Sequence, residues 1–506
     1  MNYLSILVAL PVAGAVLLGA LRNATDKLLK QITLGTSLVS LAVALAMAGA
    51  FDPNSSSAMQ FVEKYDWIPA FGVSFSLGVD GISLVLIVLA AILVPVVLLA
   101  GWNESEGHRG TVRQYLVLTL LTYSMMVGVF AATDVFLFYV FFEAILIPMY
   151  FLIGRFGGQR ATYAAVKFLL YSLVGGLLML ASLIGLWVIS REQLGAGTFD
   201  WATLTSLEID STTQNWLFLG FFIAFAIKAP LFPFHTWLPD AAGEATPGNA
   251  TLLVGVLDKI GTFGMLRYCL PLFPLASAYF TPVVIVLSLI GIIYGALLAI
   301  GQSDIKRLIA YTSVSHFGFI ALGIFAFTTQ GQSGATLYML NHGFSTAALF
   351  LVAGFLMSRR GSRFIEDFGG VAKVAPLLAG SFFLAGLSSL ALPGMSSFVS
   401  EFLVLQGTFT RYPVPAIIAT TGIVLAALYI LLMIQRTMTG EPSAEVAEKV
   451  SELTLREKIA IAPVIAIIIA TGFAPQPLLN IINPAVDRVM ASVNATDPVA
   501  SEGVSK

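Results

Sequence analysis

Apolar residues come in long runs along this chain rather than in alternation with polar ones. Fourteen runs reach the length of about 20 residues that a helix needs to cross a hydrocarbon core about 30 Å thick. They lie near 3–21, 31–50, 79–101, 112–130, 133–154, 161–190, 214–236, 248–270, 281–302, 304–327, 333–357, 376–408, 413–435 and 457–476. Membrane strands alternate in polarity and these runs do not, so the pattern predicts an all-α polytopic membrane protein. The first run has no charged stretch ahead of it and no A-x-A site after it, and reads as a retained span rather than a cleaved signal. The longest polar segments, 51–78, 191–213 and 436–456, are connections too short to be domains. The tail after Pro477 carries Asn, Ser and Pro and predicts poor order.

Composition sharpens this. Of 506 residues, 58% are hydrophobic and 11% charged, against roughly a quarter charged in soluble domains. A net charge of −2 provides no basic face for nucleic acid. The one cysteine, Cys269, excludes an internal disulfide and a cysteine-held cluster or structural zinc, and four histidines exclude a His-rich metal site. No G-x-x-x-x-G-K-[ST] or G-x-G-x-x-G loop is present. Seventeen of the 26 Lys and Arg fall on alternate connections, from that between the first and second runs to that between the thirteenth and fourteenth. By the positive-inside rule both termini then face away from the cytoplasm.

Six titratable side chains interrupt six of the runs near their middles. Glu143 stands ten residues past Thr133 in FFEAILIPMY, about 15 Å into the membrane. Lys228 is central in FAIKAPLFPFHTWLP and Lys259 in LLVGVLDKIGTFGMLR. Glu401 follows LPGMSSFVS, and His316 and His342 lie in YTSVSHFGF and YMLNHGF. Each has a plain reading as a paired strut or a satisfied core histidine. Together they form a polar layer at one depth, at a cost of several kcal/mol per charge, which is the arrangement proton transfer needs. Desolvation favours the neutral form of acid and base alike, and bringing the two together favours charge again. A Glu143–Lys228 pair that opens and closes is therefore a proton switch. Lys167, about two turns from a helix end, can snorkel; His235, beside Trp237, reads as an interface anchor or a point of proton entry. Asp258 adjoins Lys259 but points away from it on a helix, and either holds it charged or adds a proton site. Asp80 and Asp134 sit at helix starts, where carboxylates suit the dipole.

Two runs look broken. Pro230 and Pro233 follow Lys228 and delete the hydrogen bonds to the carbonyls of Ala226 and Ala229. Pro393-Gly394 precedes Ser396, Ser397, Ser400 and Glu401 in the long twelfth run. Gly248, Gly255, Gly261 and Gly264 loosen the eighth run around Lys259. The two proline breaks fall in the fourth member of two five-helix units, runs 4–8 and 9–13. Five is odd, so the second unit enters from the opposite face, an inverted repeat. The expected organisation is helices 1–3 over 1–111, a first unit over 112–270, a second over 281–435, a cytoplasmic loop with helix 14 over 436–476, and an extracytoplasmic tail over 477–506.

The segments TDVFLFYVFFEAILIPMYFLIG, FAIKAPLFPFHTWLPDA, LDKIGTFGMLR, SDIKRLIAYTSVSHFGF, YMLNHGFSTAALFLVAG and LPGMSSFVSEFL, spanning about 133–408, resemble the M-type antiporter-like subunits of bacterial respiratory complex I. These are the counterparts of subunit 4 of mitochondrial NADH dehydrogenase. The resemblance implies proton translocation as a membrane-arm subunit of NADH:quinone oxidoreductase, an enzyme complex, with no redox chemistry on this chain. Glu143, Lys228, Lys259 and Glu401 match the family's proton-transfer residues, and His316 and His342 its connecting axis. It also implies no cofactor here, with flavin, iron–sulfur clusters and quinone on other subunits. The implied partners are other membrane-arm subunits, including two homologous antiporter-like chains, and the lipid bilayer; the implied location is the bacterial inner (plasma) membrane. Glutamate at 401 and the lack of a long lateral extension favour the M type. After TWLPDA the family usually reads His-x-x-Ala-Pro, whereas here Ala242-Gly243-Glu244-Ala245-Thr246-Pro247 follows, which puts a proton entrance through that loop in question. The other readings are a subunit of a multi-subunit Na⁺/H⁺ antiporter, a passive scaffold in which the midplane charges are dispensable, and haem binding by His316 and His342.

Overall fold

The computed structural model describes residues 2–498. The chain opens with α1 (Tyr3–Ala20) and α2 (Asp26–Gly49), then a hairpin of β1 (Gln60–Ile68) and β2 (Val73–Val79), then α3 (Gly81–Ala100). The stretch expected as the first unit holds α4 (Val112–Ala131), α5 (Val135–Ala144), α6 (Leu146–Phe156), α7 (Ala161–Leu194), the short α8 (Trp201–Leu204), α9 (Ser211–Lys228), α10 (Trp237–Glu244), α11 (Pro247–Leu252), α12 (Lys259–Gly264) and α13 (Leu270–Leu272). The stretch expected as the second holds α14 (Pro274–Ile300), α15 (Ile305–Phe325), α16 (Thr329–Arg360), α17 (Val371–Val374), α18 (Pro376–Ser389), α19 (Ser396–Arg411) and α20 (Pro413–Met438). The chain then runs through α21 (Ala444–Lys449), α22 (Leu455–Phe473) and α23 (Gln476–Ser492).

Ten helices among the described residues are long and apolar enough to cross a membrane as continuous spans, α5 and α6 counting as one. The other four expected runs fall on interrupted or less apolar helices: α9 with α10, α11 to α13, α18 with α19, and α22. Helices α3, α15 and α16 are almost wholly buried and form the centre, while α1, α2, α7, α14 and α20 turn apolar faces outward. In α16, Gln332, Thr336, Asn341, His342 and Ser345 are buried as fully as its leucines. A helix that is polar on an inward face and sheathed by other helices suits lipid only if those polar groups meet one another inside.

Two sequence expectations change. The connection 51–78 contains the hairpin, whose Thr133 and Asp134 contacts seat it under α5: Thr133 N donates to Ser76 O at 2.9 Å and Ser74 N to Asp134 Oδ2 at 2.9 Å. Its turn uses Gly72 at φ +68°, where a Cβ would overlap the Gly197 carbonyl. The tail after Pro477 is not poorly ordered up to residue 498. It forms α23, bent 73° from α22, with Ile482, Val486 and Met490 packed inward against α3 and α16. The apolar spacing i, i+4, i+8 predicts such a helix, and the Asn and Pro residues masked it.

Asp80 and Asp134 cap their helices as expected. Asp80 accepts from Ser83 N at 2.9 Å, and Asp134 from Phe136 N and Leu137 N at 2.9 and 3.0 Å. Glu63 of β1 receives the backbone N–H groups of Leu4 and Ser5 at the start of α1, and Arg113 Nη2 donates to Leu21 O and Arg22 O at its other end, both at 2.8 Å.

The two units repeat one structural detail. Asp134 bridges to Asp200, with Val135 N donating to Phe199 O and Trp201 N to Thr133 O. Asp304 bridges to Phe364, with Ile305 N donating to Arg363 O and Ile365 N to Ser303 O. A hydroxyl residue followed by a capping Asp opens the second helix of each unit, and the strand-like segment after the third helix pairs with it. The bridges lie at opposite ends of the bundle, as inversion requires.

On the Lys- and Arg-rich face, Arg359 of α16 grips Glu457 of α22 through two hydrogen bonds of 2.6 and 3.0 Å and also donates to Phe355 O, Ser451 O and Glu452 O. Both side chains are under one-tenth exposed. Arg359→Ala leaves a buried carboxylate unpaired and is expected to cost about 3–5 kcal/mol; Arg359→Lys is expected to recover only part of this, since an ammonium cannot form the fork. The temperature of loss of the purified complex in the two variants checks both.

Candidate functional site: a buried polar axis

The axis begins where α5 gives way to α6. Pro148 has no N–H to offer the carbonyl of Ala144, and the chain steps at Ile145. Glu143 sits at this step. Its carboxylate lies against Gly176 of α7, where an added methyl would overlap it. One carboxylate oxygen, Oε1, is buried without a hydrogen bond. Lys228 is the last residue of α9, and its Nζ is likewise buried and unpartnered. It stands 4.5 Å from the centre of the Phe142 ring and 5.9 Å from that of Phe168, so aromatic faces supply the negative potential a counter-ion would. The pair proposed from sequence is thus in its parted arrangement. The break after Lys228 is real: α9 stops, Leu231 N turns back to Ala226 O at 3.0 Å, and Trp237 Nε1 takes the Ile227 carbonyl at 2.8 Å. One of the two carbonyls expected to be freed by proline, that of Ala226, is therefore occupied by the chain's own N–H.

The eighth run is helical but twice loosened, with π-helical turns at Leu253–Leu257 and Met265–Cys269. Lys259 opens the α-helical turn between them. Its Nζ donates to Val254 O and lies 2.7 Å from His342 Nδ1 of α16. His342 Nε2 is 3.2 Å from Ser313 Oγ of α15, and its ring centre is 5.2 Å from that of His316. His316 Nε2 meets Tyr429 of α20 at 3.4 Å, and its ring lies 5.7 Å from Tyr338. Tyr338 in turn donates to Glu401 Oε2 of α19 at 3.3 Å. Four of the six sequence candidates, Lys259, His342, His316 and Glu401, are therefore linked through direct contacts and Tyr338, while Glu143 and Lys228 stand apart from them and from each other.

Tyr338 and Tyr429 were missed by the sequence reading. Tyr338 carried a signal, since it precedes His342 by four residues and shares its helix face; Tyr429, in an apolar run of its own, carried none. Around the twelfth-run break, Ser345, Ser388, Ser396 and Ser397 bond one another, and Asn341 donates to Ser396 O at 2.7 Å. This break does not rest on Pro393 alone. Leu392 N closes on Leu387 O, Ala391 stands at φ +58° and Gly394 at φ +90°, so a left-handed helix stop precedes the proline.

The secondary candidates separate from the axis. Lys167 is not free to snorkel: its Nζ pairs with Asp240 Oδ2 at 2.8 Å, and Asp240 also receives Arg307 at 2.6 Å. His235 is buried against Phe232 and Tyr294, with Nδ1 unpartnered. Asp258 is buried beside Lys259, and both of its oxygens lack hydrogen bonds. In the atypical 242–247 loop, Glu244 accepts from Arg160 N at 2.8 Å and Arg363 Nη1 at 3.0 Å, tying three loops together. The following turn presents Gly248 N to Glu104, in the loop after α3. Burial pushes the Glu104 carboxyl above its ordinary range despite bonds from Gly248 and Thr246 and the charge of Lys306. It lines a cleft of about 700 Å³ together with Gly158, Pro247, Gly354, Arg363 and Arg456.

Paired helix breaks around a buried acid–base axis define a polytopic membrane protein of the antiporter-like class. The family model for the transmembrane region of NADH:quinone oxidoreductase and Mrp antiporter subunits matches residues 132–426, and this chain belongs to that family. It is 52% identical over 533 residues to the NADH-quinone oxidoreductase subunit M of Mycobacterium tuberculosis (strain CDC 1551 / Oshkosh), covering 99% of this chain and 96% of that one. Among solved structures it is similar to a chain of respiratory complex I from Thermus thermophilus, with a TM-score of 0.87, 31% identity and coverage of 97% and 99%. A chain of the Mrp complex from Dietzia sp. DQ12-45-1b has a TM-score of 0.84 over 97% and 100% of the two chains, but at 22% identity it shows the shared fold alone.

Two structural outcomes follow from these contacts. Gly176→Ala is expected to push the Glu143 carboxylate off α7, and Pro393→Ala to leave the α18–α19 break in place, because the left-handed stop at Ala391 persists. Structures of the two variants, each in the assembled complex, decide both; a straight α18–α19 helix in the second contradicts this account of the break.

Proposed function

We propose that this chain moves protons across the membrane as a membrane-arm subunit of an NADH:quinone oxidoreductase, whose other subunits carry out NADH oxidation and quinone reduction. The observation behind this reading is the series Lys228, Lys259, His342, His316, Tyr338 and Glu401, buried on five separate helices, with the half-buried Glu143 on a sixth. Each member can gain or lose a proton or relay one through a hydrogen bond, and ionisable groups at this cost inside a membrane mark a functional path by default. Identity of 52% along nearly the whole chain to a protein named NADH-quinone oxidoreductase subunit M supports it. The cation/proton antiporter alternative is supported only at the level of fold.

In this reading the five-helix units over 112–270 and 281–435 are two half-channels, open to opposite faces. A proton entering the first changes the state of Glu143 and Lys228. The parted Glu143–Lys228 geometry is the state in which Lys228 is free to pass its proton onward, and closure of the pair draws it back. Lys259 and the two histidines link the halves, and Glu401 delivers to the far side. The Lys- and Arg-rich face is the cytoplasmic one and both termini lie opposite, in a bacterial inner membrane. The Glu104 cleft replaces the missing histidine of the 242–247 loop as the cytoplasmic entrance. The partners are other membrane-arm subunits, two homologous antiporter-like chains among them, and lipid but no nucleic acid. The chain holds no cofactor of its own, the flavin, iron–sulfur clusters and quinone belonging to other subunits.

Proton pumping by NADH-energised membrane vesicles tests this. Glu143→Gln in an assembled complex is expected to lower pumping by about tenfold or more, as loss of a proton-transferring group does, and Glu143→Asp by less. Lys259→Arg keeps the charge but cannot release the proton, so it is expected to fail as Lys259→Ala does. Full pumping by the arginine variant would make Lys259 a structural cation instead. Co-purification of small antiporter chains in place of flavin and iron–sulfur subunits would favour the alternative.

A further inference from the structure

Asp258 has no role in the path as described, yet it is among the most costly residues in the chain to bury. It is fully buried, and neither carboxylate oxygen has a hydrogen-bond partner. A carboxylate so placed costs several kcal/mol unless its charge is used. The local geometry shows where it faces. Gly261, one turn further along α12, packs so closely on α9 that an added Cβ would overlap Phe225 O and Ala229 N. Residues three apart share a helix face, so Asp258 is turned toward the same end of α9, which is where Lys228 sits. Lys259, the next residue, is rotated away and reaches His342 of the second unit. The π-helical turn Leu253–Leu257 just before them inserts an extra residue into the helix, and such turns re-aim the side chains that follow. Two adjacent residues are thereby aimed at the two halves of the molecule.

We propose that Asp258 is the proton carrier that joins the half-channels, receiving a proton from Lys228 and passing it to Lys259. Both transfers pass through an intervening water, since neither lysine lies within hydrogen-bond reach of Asp258 at rest: the Asp258 carboxylate takes a proton from the Lys228 ammonium, leaving a neutral amine. The resulting carboxylic acid then protonates the neutral amine of Lys259, and the carboxylate is restored. One positive charge has moved from Lys228 to Lys259, the residue that meets His342 of the second unit, and no other group has changed. The negative charge of Asp258 also favours the charged form of whichever lysine holds the proton. This inference rests on the proton-pumping reading above and adds a residue to its path.

The test uses the assembled complex in membrane vesicles, energised by NADH. Asp258→Asn keeps the size and loses the proton site; its pumping is expected to fall about tenfold or more. Asp258→Glu keeps the carboxyl and changes its reach; it is expected to pump at an intermediate rate with a larger solvent deuterium isotope effect than the parent, because this transfer has become slower. Asp258→Asn pumping at the parental rate overturns the proposal, and so does an unchanged isotope effect in Asp258→Glu, the mark of a purely structural anion. The glutamate variant decides the matter if the asparagine variant fails to assemble. Glu143→Gln and Lys259→Arg are measured alongside: if they abolish pumping while Asp258→Asn does not, only the role of Asp258 falls, and if they too pump normally, the proton path itself is wrong.

Discussion

The constraint on which this structure depends is that a hydrocarbon interior cannot solvate a charge or a free backbone carbonyl. Every ionisable group on the axis must be answered from within the protein. The answers differ along its length. Lys228 is answered by aromatic faces, Lys259 by a carbonyl and an imidazole, and Glu401 by a phenol. None is answered by a directly bonded opposite charge. A tight ion pair would be too well satisfied to titrate. The strongest ion pairs, such as Arg359–Glu457 and Lys167–Asp240–Arg307, are kept to the ends of the bundle, where they fix helices rather than carry protons.

The helix breaks obey the same constraint. Each exposes backbone that must be bonded again, and the two are repaired differently. After α9 the chain folds back on itself and borrows the indole of Trp237. Between α18 and α19 a cluster of serines and Asn341 does the work, and Gly472 of α22 closes against the backbone of Gly394. The second break is therefore the more polar of the two. It lies next to Glu401, at the end of the axis away from Glu143.

Much of this was legible in the sequence because lipid makes the rules severe. Runs of twenty apolar residues can hardly be anything but spans, and a lysine in the middle of one stands out without any structure. The Lys228-Pro230 and Pro393-Gly394 breaks were readable for the same reason. What was not legible depends on contacts between distant segments. Gly176 matters only because Glu143 lies against it, and Tyr429 only because His316 does. The hairpin at 60–79 was hidden in a polar connection. The helix 476–492 was hidden by its Asn and Pro residues, although its apolar spacing was there to be counted. The repeated Asp134 and Asp304 bridges escaped because three or four residues with a changed partner leave almost no trace in a linear comparison.

The clamps on α1 have a consequence for the surrounding lipid. Glu63 holds its first turn and Arg113 the carbonyls of Leu21 and Arg22 just past its end, so this outward-facing helix of 18 residues can neither slide along its axis nor tilt freely. At 1.5 Å per residue it fixes a hydrophobic height of about 27 Å. A helix that cannot tilt leaves the lipid to absorb any mismatch in thickness. The protein thus carries a rigid gauge on its rim, and a thicker bilayer must thin around α1 instead of drawing the helix to itself.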